Sequence, residues 1–77
     1  MQYGGNNMQP LVFLQNGDQA RIKRVGGALE TRRFLAGLGF VEDAQISVIS
    51  RLNGNLIVNI KDSRVAINED MAKHIMV

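Results

Sequence analysis

Residues 44–60, AQISVISRLNGNLIVNI, decide the fold. On either side of Asn53-Gly54 the apolar side chains recur at every second position, Ile46 and Val48 before the pair and Leu56, Val58 and Ile60 after it. A period of two places such a series on one face of an extended strand. Asn-Gly favours a type I′ turn, in which both central residues stand at positive φ and the backbone twist matches that of the flanking strands. The stretch predicts a tight antiparallel hairpin with one apolar face.

Toward the C-terminus, Asp62-Ser63 offers a second turn, and Arg64 to Ile67 a further strand with Val65 and Ile67 inward. Asn68 is suited to cap a helix. Glu69 and Asp70 favour the positive end of a helix dipole, and Lys73 and His74 the negative end, so a turn or two of helix is expected here. Ile75-Met76-Val77 then returns as a last strand, pairing with an earlier edge so that no long edge stays open.

Toward the N-terminus, Ala28 to Leu38 predicts a short helix, with Leu29, Leu35, Ala36 and Leu38 near one face and Arg32 and Arg33 turned to solvent. Gly39 is placed to end that helix in the left-handed conformation, and Phe40 to fold back on its last turn. Gly26-Gly27 separates the helix from a strand over Gln19 to Val25, where Ala20 and Ile22 alternate with Arg21 and Lys23. Asn16-Gly17-Asp18 turns the chain out of the short apolar run Leu11 to Leu14, and Phe13 and Phe40 are expected in the core. Residues 1–10, with Gly4, Gly5, Asn6 and Asn7, are expected to be a disordered or loosely attached lead to a single domain over 11–77. Five short strands with one inserted short helix and one short C-terminal helical segment describe a mainly β domain, a small SH3-like β-barrel.

A chain of 77 residues buries only about 60 to 65% of its unfolded surface, which limits it to one modest core. A shallow surface is the expected working part. There is no cysteine, which excludes disulfides, thiolate metal sites and cysteine nucleophiles and favours the cytosol. No apolar stretch approaches the length of a membrane span, and no export signal is evident. His74 is the single histidine, Ser47, Ser50 and Ser63 lack a nucleophile-elbow pattern, and neither standard phosphate-binding glycine loop is present. The chain is therefore expected not to be an enzyme. Asp70 and His74, four apart on the C-terminal helix, with Glu69 as a third donor, are weak candidates for a metal site. No tight site and no cofactor are expected; weak transition-metal binding is the most this set allows.

Net charge is +2 but unevenly placed. Residues 1–40 hold Arg21, Lys23, Arg24, Arg32 and Arg33 against Asp18 and Glu30; residues 41–77 hold four cations against five carboxylates. Such a dipole can steer an acidic partner. Contact residues are expected at Arg32, Arg33 and Phe34, since arginine and an aromatic on one helix make a common interface composition.

Four blocks together resemble the FeoA family, ferrous iron transport protein A. They are Leu14 with Gly17-Asp18, Ala20-Arg21-Ile22 and Gly26-Gly27; Leu35-Ala36-Gly37-Leu38-Gly39-Phe40; the hairpin from Ile46 to Ile60; and Val65-Ala66-Ile67-Asn68 through Met71-Ala72 to Ile75-Met76-Val77. Two positions depart from that pattern: Glu42-Asp43 stands where many members carry Pro-Gly, and Phe34 where relatives often place arginine. The resemblance implies an SH3-like barrel and a small cytoplasmic accessory of ferrous iron uptake. Such an accessory binds and modulates FeoB, the membrane ferrous iron transporter with a GTP-binding domain, and is peripheral to the inner membrane through that partner. Two alternatives stand beside it. One is an SH3-like RNA-binding module, disfavoured because Tyr3, Phe13, Phe34 and Phe40 are the only aromatics. The other is the C-terminal type of domain found in metal-dependent repressors.

Overall fold

A computed structural model describes residues 8–77. The elements run in the order of a 3-10 turn at Leu11–Phe13, β1 at Gln19–Arg21, β2 at Arg24–Val25, α1 at Leu29–Gly37, β3 at Gln45–Leu52, β4 at Asn55–Ile60, β5 at Ser63–Asn68, α2 at Glu69–Ala72 and β6 at Ile75–Met76. The hairpin read from residues 44–60 is the centre of the molecule. Ile46 pairs with Ile60 and Val48 with Val58 across β3 and β4, and all four side chains are buried. Asn53 and Gly54 both stand at positive φ, 54° and 81°, as the type I′ turn requires. The next hairpin turns one residue earlier than expected, at Lys61 and Asp62, with Ile60 paired to Ser63.

The predicted barrel does not form. The main sheet has the order β1-β3-β4-β5, so β1 and β5 are its open ends, while β2 and β6 make a separate antiparallel pair. The cause lies in the middle of the strand expected over Gln19 to Val25. Up to Ile22 the chain pairs toward β3: the Ile22 amide donates to the Ala44 carbonyl at 2.9 Å, and its carbonyl accepts from Asp43 at 2.7 Å. From Lys23 it pairs toward β6, the Lys23 amide donating to the Met76 carbonyl at 2.8 Å. One predicted strand thus serves two sheets, and α2 carries the chain from β5 to β6 where closure would need a strand.

Among the described residues fourteen form the core, drawn from both sheets and from Leu11, Leu14, Ile22, Leu35, Phe40, Ala72 and Val77. Phe13, expected inside, is 67% exposed. In a 3-10 turn residues three apart eclipse, so burying Leu11 and Leu14 leaves Phe13 pointing away from them. The lead expected over residues 1–10 lies outside the described residues as far as residue 7. From Gln9 the chain is paired: its amide donates to Val77 at 3.0 Å and its carbonyl accepts from Val77 at 2.8 Å.

Candidate functional site

Helix α1 exposes two large apolar side chains, Leu29 and Phe34. Ala28 precedes it without a side-chain cap. Its C-terminus is closed by a Schellman motif: the Phe40 amide donates to the Leu35 carbonyl and the Gly39 amide to the Ala36 carbonyl, each at 3.0 Å. Gly39, at φ 106°, is the C′ residue, and a β carbon there would stand 3.3 Å from Lys61 Cδ. Phe40, folded back as the sequence suggests, is 1% exposed and pins the helix end to the core.

Only Leu35 of α1 is fully buried, with Thr31 and Leu38 half-buried beside it. Leu29 and Ala36, expected on the core face, are both exposed, Leu29 by 51%. At about 100° per residue, Ala36, Leu29 and Arg33 stand about 100 to 160° around the helix from Leu35, and Arg32 about 60° from it on the same flank. Arg32 and Arg33 are both exposed on this flank, and Leu29 lies one turn below them. Phe34 is 53% exposed but sits about 160° around the helix from Arg32, on the opposite flank. The three residues singled out by sequence therefore do not share one patch. The outward surface is Leu29 with the arginine pair, and Phe34 borders it beyond Arg33. Leu29 was legible only as an apolar residue near the core stripe; its place in the first turn, ahead of Leu35, carries it off that stripe.

The metal candidates are not drawn together. Helix α2 ends at Ala72, before His74, so the spacing expected to align Asp70 and His74 on one helical face is not realised. The Asp70 carboxylate faces Lys73 Nζ at 3.7 Å. The His74 ring lies against Gly27, within 3.2 to 3.3 Å of where a β carbon would stand, and the His74 carbonyl accepts from the Gly26 amide at 2.8 Å. Its service is to hold the end of β2 to the approach of β6. Among the described residues no group of three His, Cys, Asp or Glu is placed to hold an ion. No polar or charged residue among them is buried, and no helix is long and apolar enough to cross a membrane. Asn68 caps α2 as read, its Oδ1 accepting from the Met71 amide at 2.8 Å.

Residues 9–77 match the FeoA domain model. The chain is 30% identical over 70 residues to the protein assigned as Fe(2+) transport protein A in Methanocaldococcus jannaschii, covering 91% of this chain and 85% of the other. It is also similar to the crystal structure of an iron uptake regulatory protein, FeoA, with a TM-score of 0.85 and 25% identity over 92% of this chain and 96% of that one. A manganese-dependent transcriptional repressor superposes with a TM-score of 0.87 at 22% identity, over 99% of this chain but 38% of the repressor, a likeness of fold alone.

Proposed function

The chain belongs to the FeoA domain family, and from that membership we propose that it binds a FeoB-type ferrous iron transporter and modulates it by contact through α1. Family membership makes it a non-catalytic accessory module of ferrous iron transport. The observation that supports α1 as the contact is its composition: an exposed leucine and two arginines on a helix held to the core mainly through Leu35. Arginine and apolar anchors are the usual bearers of interface energy. Phe34 extends the contact on the neighbouring flank, so a partner that engages all three predicted residues wraps the exposed half of the helix. The partner's contact region is on the cytoplasmic side, where the GTP-binding domain is.

A modulator of this kind shifts its partner only by its differential affinity for two states, and about 1 to 3 kcal/mol of coupling changes an equilibrium 5- to 150-fold. Addition of the 77-residue protein to a purified FeoB-type transporter is expected to give saturable binding and to change its rate of GTP hydrolysis or ferrous iron uptake. Neither binding nor a rate change at saturating protein would contradict the proposal.

A further inference from the structure

The outer face of the main sheet holds a second feature, independent of α1. Opposite the buried face, Gln19 on β1 pairs with Ser47 on β3, Ser47 with Asn59 on β4, and Asn59 with Arg64 on β5, a continuous polar row across all four strands. Beside it Arg21 pairs with Gln45, next to Lys61 at the end of β4. Over these rows lies a shallow groove of about 600 Å³, lined by Gln19, Gln45, Ser47, Asn59, Lys61 and Asp62 among others.

Lys61 is the one cation among the lining residues, and Arg21 and Arg64 stand beside the groove on the same face of the sheet. Lys61 lays its stem on Gly39, and the Arg21 guanidinium donates to the Asp43 carbonyl at 2.9 Å. Asp62 is the one carboxylate among the lining residues, at the turn end. Strands stand about 4.8 Å apart, so the face from β1 to β5 spans roughly 14 Å, about four residues of extended chain.

We propose that this groove binds an extended, acidic segment of a partner polypeptide. Primary amides and a hydroxyl offer both donors and acceptors, which matches the alternating N–H and C=O groups of a peptide backbone. Arg21, Lys61 and Arg64 supply the complement for its carboxylates. Single-stranded RNA is disfavoured because among the described residues no aromatic side chain is on this face to stack a base: Phe13 is on the 3-10 turn, Phe34 on α1 and Phe40 in the core.

The test is an NMR titration of the 77-residue protein with a hexaglutamate peptide at low salt, with a hexaglutamine peptide and hexauridylate as comparisons. Hexaglutamate is expected to shift the side-chain amide signals of Gln19, Gln45 and Asn59 and to bind at least tenfold more tightly than hexaglutamine. The Lys61→Glu/Arg64→Glu variant, whose spectrum should otherwise be retained because both side chains are exposed, is expected to lose hexaglutamate at least tenfold and to gain hexalysine. Shifts confined to α1, equal binding of hexaglutamine, or tighter binding of hexauridylate on this face would overturn the proposal. The peptide assay needs no transporter, so its outcome is separate from that of the α1 contact.

Discussion

In β3 a single inserted residue, Ile49, decides which side chains share the face of Leu56. Simple alternation along β3 would turn Ser50 and Leu52 inward with Ile46 and Val48. The register instead shifts between Val48 and Ser50, so that Ser50 pairs with Ile57 and Arg51 with Leu56, and the β-bulge places the exposed Arg51 on the face of Leu56. Its guanidinium donates to the Val12 carbonyl and, at 2.7 Å, to the Leu14 carbonyl, fastening the 3-10 turn to the end of the hairpin. Leu52 is correspondingly turned out, 63% exposed. Charge-assisted hydrogen bonds of this kind contribute about 1.5 to 3 kcal/mol, so Arg51→Ala is expected to lower the unfolding free energy by that order in urea titration. Lysine, a point charge without the planar fork, is expected to recover only part of the loss. At Gly39 the combination of φ 106° and a close Lys61 stem leaves no comfortable place for a side chain, and Gly39→Ala is expected to cost about 1 kcal/mol or more by the same measurement. The glycine was legible in the sequence as a helix stop. The bulge was not, because nothing in Ser47 to Leu52 distinguishes an inserted residue from the next step of an alternation.

At the scale of elements, what the sequence showed well was local. The Asn53-Gly54 hairpin, the Schellman end of α1 and the Asn68 cap each depend on a few neighbouring residues, and each forms where it was read. Elements whose limits depend on distant partners were read less well. The strand over Gln19 to Val25 looks continuous in its alternation, yet it divides because its two halves meet different strands. Arg32, Arg33 and Phe34, adjacent in sequence, were legible as exposed. The step of about 100° between successive helical residues parts them whichever way α1 is rolled, and the packing of Leu35 fixes which side of the helix meets the core. That side chain is the main attachment of the helix. Leu35→Ala is expected to destabilise the domain by about 2 to 5 kcal/mol in thermal or urea unfolding, whereas Arg32→Ala/Arg33→Ala should change stability by about 0.5 kcal/mol or less.

At the scale of the whole molecule, the C-terminal residues close the structure. β6 is paired to β2 on one side, and on the other Pro10 bridges Met76 and Gln9 exchanges two hydrogen bonds with Val77. Ile75 and Val77 are buried in the core. A domain of this size has a total stability of only about 4 to 12 kcal/mol. Removal of residues 75–77 deletes two core side chains and this pairing together, and it is expected to abolish cooperative unfolding as followed by circular dichroism. The open sheet leaves two surfaces outward, the roll of α1 and the polar face of β1, β3, β4 and β5, with Lys61 lying between the end of the helix and the groove. A non-catalytic module with no buried charge among its described residues acts through surfaces such as these. The most direct measurement is the affinity of a purified FeoB-type transporter for the 77-residue protein and for its Leu29→Ala/Arg32→Ala/Arg33→Ala variant, read by surface plasmon resonance after both have been shown to unfold at the same urea concentration. Docking through α1 predicts at least tenfold weaker binding of the variant, and an unchanged affinity would contradict it.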